Sequence, residues 1–99
     1  FQALVRADAK TQDAAQNFLH AAAQHAQSLP ALAGVFLYPP IPMAVQRVAN
    51  IERAQMLIEA ASRSALQKFL HAWQPLLHPL KKQHKTVVRW LVDVDPQSV

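Results

Sequence analysis

The stretch Thr86-Val-Val-Arg-Trp-Leu-Val-Asp-Val-Asp95 is the clearest β-strand in this sequence of 99 residues. One face of the predicted strand carries Val88, Trp90, Val92 and Val94. Because side chains alternate between the two faces of a strand, this spacing indicates a sheet with one buried face. The elements that cover that face must lie upstream.

Two upstream segments repeat apolar residues with helical spacing. The first starts at Thr11 or Asp13 and is stopped by Pro30, and its apolar positions are Ala15, Phe18, Leu19, Ala22, Ala26 and Leu29. The second starts after Ser62, and its apolar positions are Leu66, Phe69, Leu70, Trp73, Leu77 and Leu80. Pro75 either kinks or ends this helix, and the pattern leaves both outcomes open.

Three further strands are predicted. Residues 2–8 and 53–60 alternate, and the short apolar run Val35-Phe-Leu-Tyr38 follows Gly34. The prolines of 39–42 argue against regular structure up to about Ala44, and 44–52 is treated as a loop. The aromatic side chains of the short apolar run and of the last strand could stack on nucleobases, but their apolar surroundings favour core packing; they are Phe36, Tyr38 and Trp90.

The resulting order, β-α-β-β-α-β, predicts a single α+β domain with a ferredoxin-like arrangement. Both helices then cover one face of a four-stranded sheet, and right-handed crossovers place the first and third strands in the middle. The opposite face is expected to be open, solvated and net basic. Its predicted side chains are Arg6, Arg53, Gln55, Glu59, Arg89 and Asp93.

Composition excludes several kinds of site. With one glycine, neither a Walker A loop nor a GxGxxG fingerprint is possible, and without cysteine there is no thiolate metal site or thiol nucleophile. The five histidines lack the spacing of a zinc-binding helix pair, and Asp93 with Asp95 has no third carboxylate nearby. We therefore expect no metal and no catalytic residues. No methionine precedes Phe1, so we expect a domain of a longer protein.

Positive charge is concentrated near the last strand. The formal charge is +4, and the predicted loop Lys81-Lys-Gln-His-Lys85, with Arg89, contains no acid. Such a patch attracts phosphates, although a solvated loop explains the charge equally well. Arg63 and Gln67, one turn apart at the start of the second helix, form either a carboxylate receptor or an ordinary polar helix start.

The ending Val88-Arg-Trp-Leu-Val-Asp-Val-Asp-Pro96 resembles the end of the PriA family, the bacterial primosomal helicases of replication restart. Ser62-Arg-Ser-Ala-Leu-Gln67 is similar to the start of the family's penultimate helix. Phe1, with the following Leu-Val-Arg, resembles the strand that opens its C-terminal domain. The resemblance covers essentially the whole chain, and its small ribosomal-protein-like fold agrees with the predicted strand order.

The resemblance implies that residues 1–99 are the noncatalytic C-terminal domain of an ATP-dependent 3′ to 5′ DNA helicase. The ATP, Mg²⁺ and Zn²⁺ of the helicase would bind elsewhere in that protein. It would act in the cytoplasm, on the nucleoid, and its partners would include other primosome proteins. No membrane contact is expected. The domain would bind branched or single-stranded DNA. It would also help to bind the acidic C-terminal tail of single-stranded DNA-binding protein, with Arg63 and Gln67 matching the family's arginine and glutamine in that pocket.

The DNA-binding residues themselves are predicted from charge, because the basic loop and Pro75 match no family motif. They are Lys81, Lys82, Lys85, Arg89, Arg53 and Arg6. A ribosomal-protein-like RNA-binding domain is the alternative with the same fold. A small ferredoxin-like phosphatase is a third possibility, but one glycine can hardly supply its phosphate-binding loop.

Overall fold

A computed structural model describes residues 1–43 and 51–94 of the chain. Two helices pack on one face of a five-stranded antiparallel sheet, which confirms the α+β class and the ferredoxin-like arrangement. The predicted number of four strands was wrong, because Ile41–Pro42 adds a short fifth strand. The elements are β1 (Gln2–Ala9), α1 (Gln12–Ala26), β2 (Val35–Leu37), β3 (Ile41–Pro42), β4 (Glu52–Ala60), α2 (Arg63–Gln83) and β5 (Val87–Val94).

The strand order is β2-β4-β1-β5, and β3 also pairs with β4. The first and third predicted strands, β1 and β4, therefore lie in the middle as expected. The expectation that the prolines exclude structure up to Ala44 was wrong for Ile41 and Pro42, which form β3 on the same edge as β2. Proline is tolerated at a sheet edge because its missing N–H breaks no inner hydrogen bond. The predicted loop at 44–52 falls mostly on 44–50, outside the described residues.

Helix α1 begins where the sequence indicates but ends early. The Thr11 side chain caps it by accepting a hydrogen bond from the Ala14 backbone N–H, at 3.1 Å. The helix ends at Ala26, so the assignment of Leu29 to it and of its end to Pro30 was wrong. Pro30 instead opens a short 3-10 helix, Pro30–Leu32, since proline fits the first turn of a helix better than its end.

Helix α2 continues through Pro75 and also through Pro79, to Gln83. Both prolines are exposed, so water can hydrate the backbone carbonyls that lose their helical donors. The buried side of the helix, which includes Trp73 and Leu77, remains packed on the core. The predicted loop at 81–85 is corrected accordingly: Lys81 and Lys82 lie in the last turn of α2, and the chain leaves the helix at His84.

Strand β5 contains a bulge that the alternating pattern does not reveal. Asp8 pairs with Arg89, but Ala9 pairs with Val87, so Val88 is an extra residue on β5. The bulge turns Val87 into the core, where it is 2% exposed, and leaves Val88 47% exposed. The prediction that Val88 shares the core face with Trp90 and Val92 was therefore wrong, whereas those two residues do pack against the core.

The core lies between the helices and the inner face of β1 and β4. Its largest fully buried side chains include Trp73, Phe18 and Phe69. The Phe69 and Trp73 rings stack with centroids 5.0 Å apart, and Trp73 Nε1 donates a 2.9 Å hydrogen bond to the Ala22 carbonyl oxygen of α1. That bond satisfies the indole N–H inside the core and ties the two helices together.

Candidate nucleic-acid interface

Strand pairing arranges the side chains of the open sheet face in rows. Residues directly opposite one another on neighbouring strands share a row, and successive rows on one face are about 6–7 Å apart. From one end of the sheet to the other, the rows across β4, β1 and β5 are Arg53–Asp8–Arg89, Gln55–Arg6–Leu91, Leu57–Leu4–Asp93 and Glu59–Gln2.

The first row is an ion cluster centred on Asp8. Arg53 donates from Nε to Asp8 Oδ1 at 2.6 Å and from Nη2 to Oδ2 at 3.2 Å. Arg89 donates from Nε to Oδ2 at 3.1 Å. Asp8 is buried, whereas 63% of the Arg89 side chain is exposed. The cluster therefore holds Nε of Arg89 in place and leaves the two terminal guanidinium nitrogens open to solvent.

The two arginines also determine the charge state of Asp8. Burial on its own raises the pKa of the Asp8 carboxyl. The hydrogen bonds and positive charges of Arg53 and Arg89 outweigh burial and hold that pKa below its ordinary value of 3.8. The Asp8 hydrogen bond also raises the pKa of Arg53. The cluster is thus fully ionised near neutral pH, with one surplus positive charge.

The expectation of a net basic open face was wrong. On β1, β4 and β5 this face carries three arginines and three acids, namely Arg6, Arg53, Arg89, Asp8, Glu59 and Asp93. Sequence reasoning missed Asp8. Its only signal was its place on the polar side of the first predicted strand, and its partners became visible only with the strand register.

The Asp8 cluster, with its one surplus positive charge, lies at the end of the sheet where β1 ends and β5 begins. The Lys10 backbone N–H donates to the Thr86 carbonyl at 3.1 Å, and the Gln12 side chain donates to the Arg53 carbonyl at 3.1 Å. Helix α2 ends there too, since the backbone N–H of Val87, the first residue of β5, donates to the carbonyl of the helix C-cap, His84, at 3.0 Å. We call this end the cationic end; its cations are Lys10, Arg53, Lys81, Lys82, Lys85 and Arg89.

Of the nine lysines and arginines within residues 1–43 and 51–94, six lie at the cationic end. Three acids, Asp8, Asp13 and Glu52, lie on the same part of the fold. Five of the six residues predicted to bind DNA are at this end. The sixth, Arg6, is one row further along the open face. Lys10 belongs to the same group, and sequence reasoning missed it because it stands alone between two predicted elements.

The opposite corner of the open face is aromatic. Phe36 pairs with Glu59, and the Tyr38 backbone N–H donates to the Leu57 carbonyl at 2.9 Å, so both rings lie on the open side of β2. Phe36 is 58% and Tyr38 37% exposed. The prediction that they pack in the core was wrong, because their strand presents Val35 and Leu37 to the core instead. For Trp90 the same prediction is confirmed.

The two rings are held in a defined arrangement. Their centroids are 4.7 Å apart and their planes are nearly perpendicular, at 82°. The Tyr38 hydroxyl donates to Glu59 Oε1 at 2.9 Å, and this hydrogen bond with the negative charge of Glu59 raises the pKa of Tyr38. Beside them is a shallow depression of about 310 Å³, lined by Leu4, Tyr38, Pro39, Ile41, Gln55 and Leu57.

Arg63 and Gln67 lie at the other end of α2 from the basic last turn. Arg63 is the first residue of the helix, after the Ser62 cap, and its guanidinium carbon is 5.7 Å from the centroid of the Phe1 ring. Gln67 is exposed and lines a groove of about 420 Å³ whose other lining residues are Leu70, His71, Gln74, Pro75, His78 and Val94. The fold thus separates the predicted tail-binding residues from the cationic end along α2. Gln67 and Lys81 are 14 residues apart, about 21 Å along the helix axis.

Within residues 1–43 and 51–94, no group of three histidine, cysteine, aspartate or glutamate side chains is placed to hold a metal ion. Asp95, the partner considered for Asp93, is outside the described residues. In the same part of the chain, neither helix is long and apolar enough to cross a membrane.

Comparison with known proteins places these features in context. Residues 1–97 match the family model described as the primosomal protein N C-terminal domain. The chain is also similar to the replication restart protein PriA of Haemophilus influenzae, with 34% identity over 99 residues. This match covers 100% of the chain but only 13% of that relative, so the chain spans about an eighth of the relative's length.

Proposed function

The chain belongs to the PriA family, as its C-terminal domain, and from that premise we propose that it is a noncatalytic module that binds branched or single-stranded DNA. In the same proposal it docks the acidic tail of single-stranded DNA-binding protein in a protein that restarts replication. Residues 1–99 are then one domain of a longer helicase.

The observation that carries the DNA-binding proposal is the cationic end. Lysines from the last turn of α2 and the following turn lie at the same end of the fold as Lys10 and the two arginines that bind Asp8. Lysine and arginine side chains that neutralise phosphates release counterions, and this supplies affinity independent of base sequence. Arg89 is suited to a phosphate because Asp8 binds only its Nε, so the outer guanidinium nitrogens are available for bidentate contact.

The test replaces Lys81, Lys82 and Lys85 together by glutamine and measures binding to forked and single-stranded DNA over a range of salt. Glutamine is preferred to glutamate because an acid at a helix C-terminus would also oppose the helix dipole. Each lost phosphate contact should reduce the slope of log affinity against log salt by about 0.7–0.9. Lys68→Gln, on the exposed surface of α2 away from the cationic end, is the matched control. Equal affinity and slope in the triple variant would remove the cationic end from the proposal.

The alternative, a ribosomal-protein-like RNA-binding domain, shares both the fold and the basic residues. A competition experiment distinguishes the DNA-binding from the RNA-binding function. Forked DNA and structured RNA of equal charge compete for binding to the same chain. Preference for forked DNA is expected. Preference for structured RNA would favour the alternative.

The tail-docking proposal rests on Arg63 and Gln67, which match the family pattern. Arg63 is in the first turn of α2, where the helix dipole favours an anion, and Gln67 follows one turn later at the edge of the groove. A guanidinium binds a carboxylate with two parallel hydrogen bonds, and the glutamine amide supplies a further donor. The two residues can therefore contact an acidic peptide together.

To test the tail-docking proposal, an acidic peptide with the sequence of the C-terminal tail of single-stranded DNA-binding protein is titrated into the chain and its variants. Arg63→Ala and Gln67→Ala should each weaken binding several-fold, while Lys68→Ala should not. A scrambled peptide of the same charge serves as the ligand control. If Lys68→Ala weakens binding as much as Arg63→Ala, only general charge attraction is involved.

The remaining activities of the proposed protein lie outside this chain. The chain has one glycine and no cysteine, which does not fit a Walker A phosphate loop or a cysteine zinc site. In this proposal ATP, Mg²⁺, Zn²⁺ and 3′ to 5′ unwinding belong to the rest of the helicase. Other primosome proteins are its further partners, and it acts on the nucleoid in the cytoplasm without contact with a membrane.

A further inference from the structure

We propose that Phe36 and Tyr38 form a stacking platform for the bases of single-stranded DNA, with Arg6 receiving a neighbouring phosphate. This inference rests on the proposed DNA-binding function and extends it from the cationic end across the open face. It assigns a role to two aromatic residues that the fold leaves exposed.

The two rings are exposed and held in a fixed arrangement. Contiguous exposed apolar patches on a protein surface commonly mark interaction or ligand-binding sites. Here β2 directs both rings away from the core, with Phe36 more exposed than Tyr38. The edge-to-face contact keeps the planes nearly perpendicular, and the hydrogen bond from Tyr38 to Glu59 fixes one of them. A rigid ring loses little entropy when a base stacks on it.

Polar side chains that can bind a base edge and a phosphate lie beside the platform. Gln55 and Arg6 occupy the row next to the one shared by Leu57 and Leu4, about 6–7 Å along the strands. Gln55 lines the depression next to Tyr38 and carries both a donor and an acceptor for a base edge. Among the described residues, Arg6 lies between Gln55 and Leu91 with no ion pair, so its charge is available to a phosphate.

The platform is continuous with the cationic end along the open face. One further row from Arg6 lies the Asp8 cluster with its exposed Arg89. A strand that stacks a base at Phe36 or Tyr38 can therefore pass Arg6 and reach the cationic end within four rows, about 20 Å. Aromatic stacking at one end and phosphate neutralisation at the other is the combination by which proteins hold single-stranded nucleic acids.

A docked protein is the competing occupant of an apolar surface. The row of Gln55 and Arg6 beside the aromatic pair favours a ligand with both apolar faces and charged groups, which describes a nucleic-acid strand better than an apolar protein face. The negative charge of Glu59, which is bonded to Tyr38, repels a phosphate at the rings, so the proposal puts phosphates at Arg6 and only bases at the rings.

The experiment compares oligothymidylate with an abasic oligonucleotide of the same length and charge. Phe36→Ala with Tyr38→Ala should lower affinity for oligothymidylate about 5- to 100-fold and leave affinity for the abasic strand unchanged. Tyr38→Phe keeps the ring and should retain the preference. Val88→Ala, an exposed apolar side chain on β5, is the matched control. An oligouridylate arm shows whether the platform distinguishes DNA from RNA.

The outcomes separate this proposal from the one on which it rests. If the lysine variant loses affinity for both strands equally while the aromatic variant loses only the preference for bases, both proposals stand. If the aromatic variant keeps the full preference for oligothymidylate, the platform is overturned and the rings belong to a protein contact. If the wild-type chain binds neither strand, the DNA-binding function itself fails.

Discussion

Asp8 and Arg89 face each other directly across β1 and β5, and the pair lies immediately before the bulge at Val88. Arg53 reaches the same carboxylate from β4, on the other side of β1. One buried acid thus links three adjacent strands at the end of the sheet where the pairing shifts. The cluster stabilises this register and, at the same time, holds two cations of the proposed DNA-binding surface in place.

Asp8→Asn should lower the free energy of unfolding by about 2 kcal/mol, because hydrogen bonds to charged groups are worth about 1.5–3 kcal/mol and two arginines would lose their counter-charge. Chemical denaturation measures this change. Asp93→Asn removes an exposed acid from the same face of β5 and should change stability by less than about 0.5 kcal/mol. Similar losses in both variants would mean that Asp8 contributes only general charge balance.

The same carboxylate should make stability depend on pH in the acid range. The pKa of Asp8 is lower in the folded chain than its ordinary value, so the folded state binds the proton less readily than the unfolded state. The resulting stabilisation is fully present above about pH 5 and is lost as the pH falls through the folded pKa, below 3.8. Unfolding measured from pH 6 to pH 2 should therefore show a steeper loss for the wild type than for Asp8→Asn. Parallel curves would contradict the assignment.

Tyr38 provides a direct check of the aromatic corner because it is the only tyrosine in the chain. Its hydrogen bond to Glu59 and the negative charge of that residue raise its pKa above 10.0. Glu59→Gln should lower the pKa of Tyr38 towards that ordinary value, measured by the ultraviolet absorbance of the ionised phenol. Asp93→Asn is the control, since Asp93 makes no hydrogen bond to Tyr38. An unchanged Tyr38 titration in Glu59→Gln would mean that the two side chains do not meet in solution.

Much of the fold follows from local patterns. Alternation gave β1, β4 and most of β5, and the caps at Thr11 and Ser62 marked both helix starts, because these signals depend on residues close in sequence. The bulge at Val88 could not be found in this way. Val87 and Val88 are the same residue type, and only pairing with Ala9 decides which of them enters the core.

The candidate site was less accessible to sequence reasoning than the fold. Charge clustering found Lys81, Lys82 and Lys85, since they are neighbours in sequence. The role of Asp8 depends on residues 45 and 81 positions away, and no local pattern reports such a contact. The exposure of Phe36 was also hidden, because a three-residue edge strand is too short for its pattern to show which side faces the helices.

The two prolines of α2 offer a final test of how the helix is held. Pro75 and Pro79 are exposed inside a helix whose opposite side is buried, so each removes a helical hydrogen bond without adding core packing. Proline costs about 3 kcal/mol relative to alanine in a helix interior, while its restriction of the unfolded chain returns about 0.4–1 kcal/mol. Pro79→Ala should therefore raise the free energy of unfolding by about 2–2.5 kcal/mol, and Pro75→Ala by a similar amount. Lys68→Ala, at an exposed position of the same helix, should change it by only a few tenths of a kcal/mol. Denaturation midpoints compare the three variants. A loss of stability in both proline variants would show that α2 depends on a bend at these positions, and that tertiary packing rather than the regular helix sets its path.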